Sequence, residues 1–573
     1  MPSGQSKYKR MKILSFQLRP QAQLLAIRRT LQSVCVATLL GLSVSAMAAP
    51  ANPKPFVHTQ PDGTQVVLTL VGDEHAHLYL DALGQAVEIG DDGYVHLVAK
   101  EGRALLASRR TSALKARAEM ARQVPMCIQP TATQGEVHGL IILVNFSDLK
   151  FQNTQSYIHD QMNVENFSSN GATGSARDYF VAQSSGAFRP VFDVVGPVDL
   201  DMPYRYYGGN DASGNDRHPD VMIFSAVQQA VEAGLDLNQY DRDGDGIVDM
   251  VYVIYAGLGE ADRGDPNTIW PHMSNLQGSA QFAYQQIDGK RVGLYACSAE
   301  FRGDNTFSGI GTFCHEYGHC LGLPDIYDVD YSGGYGMGSY DIMSHGSYLN
   351  NGNTPPSYSA FERYSVGWLT YDDVTSSCDV SLRPLAETNR AVRLSSRANP
   401  NEYFVIENRQ LVGWDAYLPA RGLMITHIDY DEEVWNHNRV NDDPAHQCVM
   451  MMAADNVWNS STQSGDLYPG LLNNTVFSDT SVPNSNLWDG SPLGKNVSEI
   501  AMTGDEVSFH VEVDLTGVRT VQSPNATAST VRYNPMGQPV SIDYRGIAIQ
   551  SGRKVVSIGR LAEYFTISFI AVL

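Results

Sequence analysis

The sequence predicts a mixed α+β (α/β) central domain, preceded by a β-rich segment and followed by a β-sandwich. Three observations carry that prediction. Between residues 136 and 372, apolar runs of strand length such as "HGLIILVNF" and "MVYVIYAG" alternate with helical stretches, the pattern of a sheet covered by helices. From Gln60 to Lys100, apolar and polar residues alternate between Asp-Gly and Leu-Gly turns, as in successive hairpins. From about Ser376 to Leu515, short β runs ("YFVIENRQLV", "GLMITHIDY", "EVSFHVEVDL") are punctuated by Pro, Gly and Asn turns.

In chain order, residues 1–48 read as a targeting segment. Lys7, Lys9, Arg10 and Lys12, then Arg28 and Arg29, precede the apolar run "VCVATLLGLSVSAMA", which closes on the small-x-small pattern Ala46-Met47-Ala48. Export and cleavage near Ala48 are expected, with Met11 as an alternative start and an uncleaved anchor as the rival reading. The rest of the chain has no run of 18 apolar residues, so no membrane span is expected in the mature chain. Residues 49–135, expected to be a propeptide, form the hairpin unit plus a basic, alanine-rich helical stretch ("ALLASRRTSALKARAEMARQ") of the kind that makes tethers. The central domain follows at 136–372, the sandwich at 373–516, and at 517–573 a Ser/Thr/Asn-rich linker with a last small β unit.

At 573 residues the chain is too long for one ordinary core. Its net charge of −22 argues against a nucleic-acid partner, because no basic face exists to displace phosphate counterions. Six cysteines lie beyond residue 48, an even number that permits disulfides in an exported protein. A Cys314–Cys320 pair is excluded if both share a helix, since six residues of rise separate them by about 9 Å.

The segment "CHEYGHCLGLPDIYD", Cys314 to Asp328, carries the strongest chemical signal. On a helix spanning Ser308–Leu321, Ile310, Phe313, Cys314, Tyr317 and Leu321 face a core, while His315 and His319 stand one turn apart on the adjacent stripe. Two imidazoles at that spacing can ligate one ion, and Zn2+ needs a third protein donor with a place left open for hydrolysis. Gly322 lets the backbone leave the helix and Pro324 stops it resuming, which swings Asp325 back toward the histidines. Glu316, about 100° around the helix from His315, is in reach of a metal-bound water as a general base without being a ligand.

A second ion is expected at "DRDGDGIVD", where Asp241, Asp243, Asp245 and Asp249 occupy positions 1, 3, 5 and 9 of a tight loop turning at Gly246. Alternating hard carboxylates suit Ca2+. Position 12 is Tyr252 rather than glutamate and a strand follows, so Asp249 or a remote donor such as Glu260 must complete the shell.

The string His315–Asp325 matches the metzincin pattern HExxHxxGxx(H/D). With "DYFVAQSSGAF", "DRDGDGIVDMVYVIYAGLGE", "IWPH", "SYDIMSHGSY", "AFERYSVGW" and "IENRQLVGWDAYLPARGLMITHID", the chain resembles the immune inhibitor A-like (M6) peptidases over most of its length. That resemblance implies an exported, metzincin-like zinc endopeptidase made as a zymogen, acting on proteins or peptides. It implies His315, His319 and Asp325 as zinc ligands, Glu316 as base and Met343 as the methionine beneath the metal. Asp325 stands where many metzincins carry a third histidine. Tyr348, five past Met343, is a candidate oxyanion donor. A monomer, secreted or at a bacterial cell surface, is expected. The reading from another class is a noncatalytic surface adhesin derived from such an enzyme, which the presence of Glu316 and all three donors disfavours.

Weaker signals are His272, a cleft or structural residue; His427, Asp429 and His446, read as a structural cluster; and Cys127, a candidate latency thiol for which a disulfide or an idle role is the alternative. The last unit resembles the C-terminal sorting modules of type IX-secreted proteins, but "SIGRLAEYFTISFIAVL" continues past where those stop.

Overall fold

The computed structural model describes residues 47–74, 77–98, 131–211, 214–329, 333–397 and 399–514, with backbone strands between 532 and 558. Most of the predicted targeting segment and Cys127 lie outside the described residues. Residues up to Val513 form one compact unit and Asp514–Leu573 a second.

The central sheet holds β6 (Gly135–Asn145), β7 (Phe188–Asp199), β8 (Ile247–Leu258), β9 (His272–Asn275) and β10 (Arg291–Phe301) in the order β7-β6-β8-β10-β9. All neighbours run parallel except β9, which closes the edge antiparallel to β10. Among the described residues four α-helices reach eight residues: α1 (Gln155–Asn163), α2 (Ala176–Gln183), α3 (Pro219–Glu232) and α4 (Gly311–Cys320). Parallel strands need crossovers, and these helices cover both faces. Ile141, Leu143, Tyr252, Ile254 and Ala296 pack with Ile158, Phe180, Phe313 and Tyr317 from α1, α2 and α4. Their neighbours Leu140, Ile142, Val251, Val253 and Tyr295 pack against Met222, Ile223, Ala226, Val227 and Ala230 of α3. A sheet dry on both sides explains why "GLIILVN" reads as an unbroken apolar run.

The N-terminal hairpin sheet contains β1 (Phe56–Thr59), β2 (Gln65–Gly72), β3 (His77–Asp81), β4 (Ala86–Ile89) and β5 (Val95–Leu97), paired antiparallel in sequence order. Beyond the central domain, β11 (Asp372–Asp373), β13 (Val392–Ser395), β14 (Glu402–Arg409), β15 (Gly422–Asp429) and β16 (Val449–Met451) form one sheet. A second contains β12 (Cys378–Leu382), β17 (Lys495–Thr503) and β18 (Glu506–Val513). Phe404, Ile406 and Ile425 of the first meet Leu382, Val507, Phe509 and Val511 of the second in one core. The opposite face of the five-stranded sheet (Tyr403, Val405, Met424, Ile428) joins the core beneath α4. All eight residues of β14 are therefore buried, and Arg409 meets that cost by bonding Asp415 and Glu407. The second compact unit is a four-stranded antiparallel sheet, β19 (Arg532–Tyr533), β20 (Pro539–Val540), β21 (Arg545–Gln550) and β22 (Arg553–Ile558), ordered β20-β19-β21-β22.

Candidate metal centre and cleft

Helix α4 starts at Gly311, three residues later than the amphipathic spacing predicts. The Ser308 amide bonds the Glu300 carbonyl instead, and the backbone at Gly309 and Gly311 presses on the segment 347–352: a Cβ on Gly311 would lie 1.9 Å from the Ser347 carbonyl oxygen. The C-terminal break is where the sequence puts it. Cys320 is the last helical residue and Gly322 takes φ +96°. Gly318 gives Met343 room beneath the helix, since a Cβ there would sit 2.7 Å from its sulfur.

This backbone brings His315, His319 and Asp325 together, all wholly buried. His315 Nδ1 lies 2.7 Å from the Ile342 carbonyl and His319 Nδ1 2.7 Å from that of Leu323. Because Nδ1 must donate to a carbonyl, each Nε2 is left with its lone pair. The two Nε2 atoms face each other at 3.2 Å, and each is 3.3 Å from Asp325 Oδ1, an oxygen with no hydrogen-bond donor. Two lone pairs and a carboxylate oxygen converging in a dry site need a positive charge among them, either a proton or a cation. Without a cation, the proton goes to His315: burial works against it, but Asp325 and Glu316 outweigh burial and push it up to about 9. The donor set, two imidazoles and a carboxylate anchored from outside, fits Zn2+.

The anchor of Asp325 was not visible in the sequence pattern. Asn438, from the loop after the short helix Glu432–Asn436, accepts the Asp325 amide at 2.6 Å and donates to Asp325 Oδ2 at 2.6 Å. Burial would raise the Asp325 carboxyl, yet His319 and His315 hold it well below the usual carboxylate range. Burial pushes Glu316 up to about 8, partly offset by His315 and by the Ala49 amide.

That amide belongs to a segment crossing the cleft. Met47 exchanges two main-chain hydrogen bonds with Met273 of edge strand β9. Tyr327 Oη donates to the Ala48 carbonyl (2.7 Å), the Ala49 N–H donates to Glu316 Oε1 (2.9 Å), and Trp270 Nε1 donates to the Ala49 carbonyl (2.9 Å). Tyr348 Oη then donates to the Pro50 carbonyl (2.6 Å), and Asn52 Nδ2 to Asp262 (2.8 Å). Met47, Ala48 and Ala49 are fully buried. Beyond Asn52 a cavity of about 360 Å³ opens, lined by Lys54, Asp262, Arg302, Thr312, His345 and Tyr348.

The acidic loop gathers Asp241, Asp243 and Asp245, while Asp249 lies by Arg242 at 3.7 Å. The Asp241 side chain is wholly buried: Oδ2 accepts from Lys290 and Oδ1 has no partner. Glu260 is elsewhere, buried beside Asn210 and His77. His272 is a buried neutral histidine, 2.7 Å from the Trp270 carbonyl and 3.1 Å from Tyr295 Oη, with burial lowering it to about 4. His427 bonds Glu402, and His446 bonds Asp429, at a distance from the metal residues in sequence and in separate contacts. Cys314 and Cys320 are free thiols, both buried.

Residues 131–369 match the family model described as "Immune inhibitor A peptidase M6, catalytic domain". The chain is 28% identical over 261 residues to Immune inhibitor A of Bacillus thuringiensis subsp. alesti, covering 38% of this chain and 38% of that protein. It is 26% identical over 307 residues to the pre-pro-metalloprotease PrtV of Vibrio cholerae serotype O1 (strain M66-2), covering 45% of this chain and 33% of that protein. The similarity thus spans 38% and 33% of the two relatives' lengths. Residues 131–369, which contain α4 and its converging histidines, are thus the part of the chain that matches a catalytic domain of the immune inhibitor A (M6) peptidase family.

Proposed function

We propose that the chain is an exported zinc-dependent endopeptidase, made as a zymogen, that hydrolyses peptide bonds of proteins. One observation carries the reading: two imidazole Nε2 atoms and an unpaired carboxylate oxygen converge in a buried site, with Glu316 beside them bonded to a peptide amide. His315, His319 and Asp325 would hold the ion. Zn2+ there would polarise a carbonyl and bring a water's pKa from about 15.7 toward about 7. Glu316 would be the base that takes a water's proton and passes it to the leaving nitrogen. Tyr348 is a cleft hydroxyl that donates to the Pro50 carbonyl. Met343 against Gly318, beneath the ligating helix, favours the metzincin type.

Latency rests on residues 49–52, which stay with the chain after cleavage near Ala48, fill the cleft through bonds to Glu316, Trp270, Tyr348 and Asp262, and would have to leave before substrate enters. The name of the Vibrio relative, pre-pro-metalloprotease, favours a leader and prosegment here too. Asp241, Asp243 and Asp245 support a structural Ca2+ site, whose shell Asp249 or a donor from elsewhere would complete. The core shared by the two C-terminal sheets favours the sandwich reading of 373–516. The test is casein hydrolysis by the purified, processed protein, abolished by chelator, restored by zinc and absent in Glu316→Gln. Zinc-loaded, processed protein that leaves casein intact would refute the reading.

A further inference from the structure

We propose that Tyr327 is a catalytic residue, the hydrogen-bond donor that stabilises the oxyanion during peptide hydrolysis; this rests on the peptidase reading above. A hydrolase of this kind must reach both ends of one peptide bond: a base at the nitrogen and an electrophile at the carbonyl oxygen. The segment crossing the cleft presents a peptide bond held in that way. The Ala49 N–H meets Glu316 Oε1 at 2.9 Å, and the Ala48 carbonyl oxygen of the same bond meets Tyr327 Oη at 2.7 Å.

The flanking contacts fix the register. Met47 pairs with edge strand β9, and Trp270 and Tyr348 take the next two carbonyls, those of Ala49 and Pro50. Apart from Asn52, these contacts use main-chain groups that any extended peptide offers, and the two residues at the bracketed bond are alanines. The Ala48–Ala49 bond is therefore a stand-in for a substrate bond. Tyr348 sits two carbonyls further along, where it binds chain rather than the reacting oxygen.

Tyr327 is fixed by the turn that delivers the third metal donor. It is 1% exposed, two residues past Asp325, and the intervening Ile326 amide bonds the Met343 carbonyl at 2.8 Å. Its hydroxyl is thus positioned before substrate arrives, the condition under which such a donor is most effective. As the water oxygen bonds to the carbonyl carbon, the π pair moves onto the carbonyl oxygen, and Glu316 takes the water's proton. The charged oxygen accepts a stronger bond from Tyr327, which keeps its proton throughout. When that pair re-forms the C=O bond, the C–N bond breaks and the proton on Glu316 passes to nitrogen.

The test is steady-state kinetics of the processed protein on a fluorogenic peptide, comparing wild type with Tyr327→Phe. Loss of one preorganised donor predicts a fall in kcat of about 10²-fold, with KM changed less than about threefold. Affinity for a phosphinic peptide, a tetrahedral analogue, should fall in parallel, while affinity for the product peptides stays. Should Tyr327→Phe fail to fold, 3-fluorotyrosine at 327 keeps the shape and strengthens the donor, and kcat should rise by about twofold. Unchanged kcat in either replacement, or equal losses for the tetrahedral analogue and the products, would overturn the proposal. An inactive wild type would instead refute the peptidase reading.

Discussion

Asn438 offers the sharpest test of how the site is held. Its amide makes both anchoring bonds to Asp325, each 2.6 Å and both fully buried. Asn438→Ala leaves the Asp325 N–H and Oδ2 without partners. A lost bond to a carboxylate costs about 1.5–3 kcal/mol, and an orphaned buried N–H about 1–3 kcal/mol. Roughly 3–5 kcal/mol is then at stake, less whatever an entering water recovers. Asn438 also has φ +54°, where alanine adds strain of about 1 kcal/mol that glycine does not. Comparing Asn438→Gly with Asn438→Ala separates backbone strain from the missing amide. Both variants should bind Zn2+ about 10–100-fold more weakly in competition with a fluorescent chelator, as expected when the partner of a ligand is removed. Asn438→Gly with the zinc affinity of wild type would refute the claim that this amide orients the third ligand.

Other outcomes follow from the same structure. Removing Ca2+ with EGTA should lower the melting temperature by a few degrees, because an ion present at about 100 times its Kd contributes about 2.7 kcal/mol; Asp241→Ala should abolish the shift, and a curve indifferent to EGTA retires the calcium site. Gly318→Ala, which at most helix positions stabilises by about 1 kcal/mol, should instead lower the melting temperature, because its Cβ meets Met343 Sδ at 2.7 Å and Tyr358 Oη at 2.8 Å. His272 is neutral in the fold, its pKa lowered by burial to about 4 from 6.5, so the unfolded chain binds a proton first as pH falls. Its stabilisation is complete above about pH 6.5 and is lost between there and pH 4, roughly 3 kcal/mol in all. His272→Gln should flatten that part of the stability–pH profile, and an unaltered slope in urea melts would contradict the assignment.

Much of the centre is legible in the sequence because its parts are local. His315, Glu316 and His319 lie within one helical turn and a half, and Gly322 and Pro324 mark the break that returns Asp325. The central strands are equally plain, since burial on both faces leaves an unbroken apolar run. What escaped the pattern is long-range. Asn438 lies 113 residues from Asp325, and Ala49 lies 267 from Glu316. Neither residue sits in a periodic stretch, and an alanine in a cleft contributes only its backbone, which carries no side-chain signature. Tyr327 was present in the quoted motif, but a tyrosine beside a core is read as packing until a carbonyl is found on its hydroxyl. The core that unites Trp414, Met424 and Trp435 with α4 was hidden for a related reason: β14 is buried on both faces yet carries Glu402, Glu407 and Arg409, which read as solvated.

The most direct measurement is metal content and casein hydrolysis of wild type and Glu316→Gln, prepared and processed identically. One zinc per chain is expected in both proteins, and hydrolysis in wild type alone. Wild type without zinc, or Glu316→Gln cleaving casein at the wild-type rate, would contradict it.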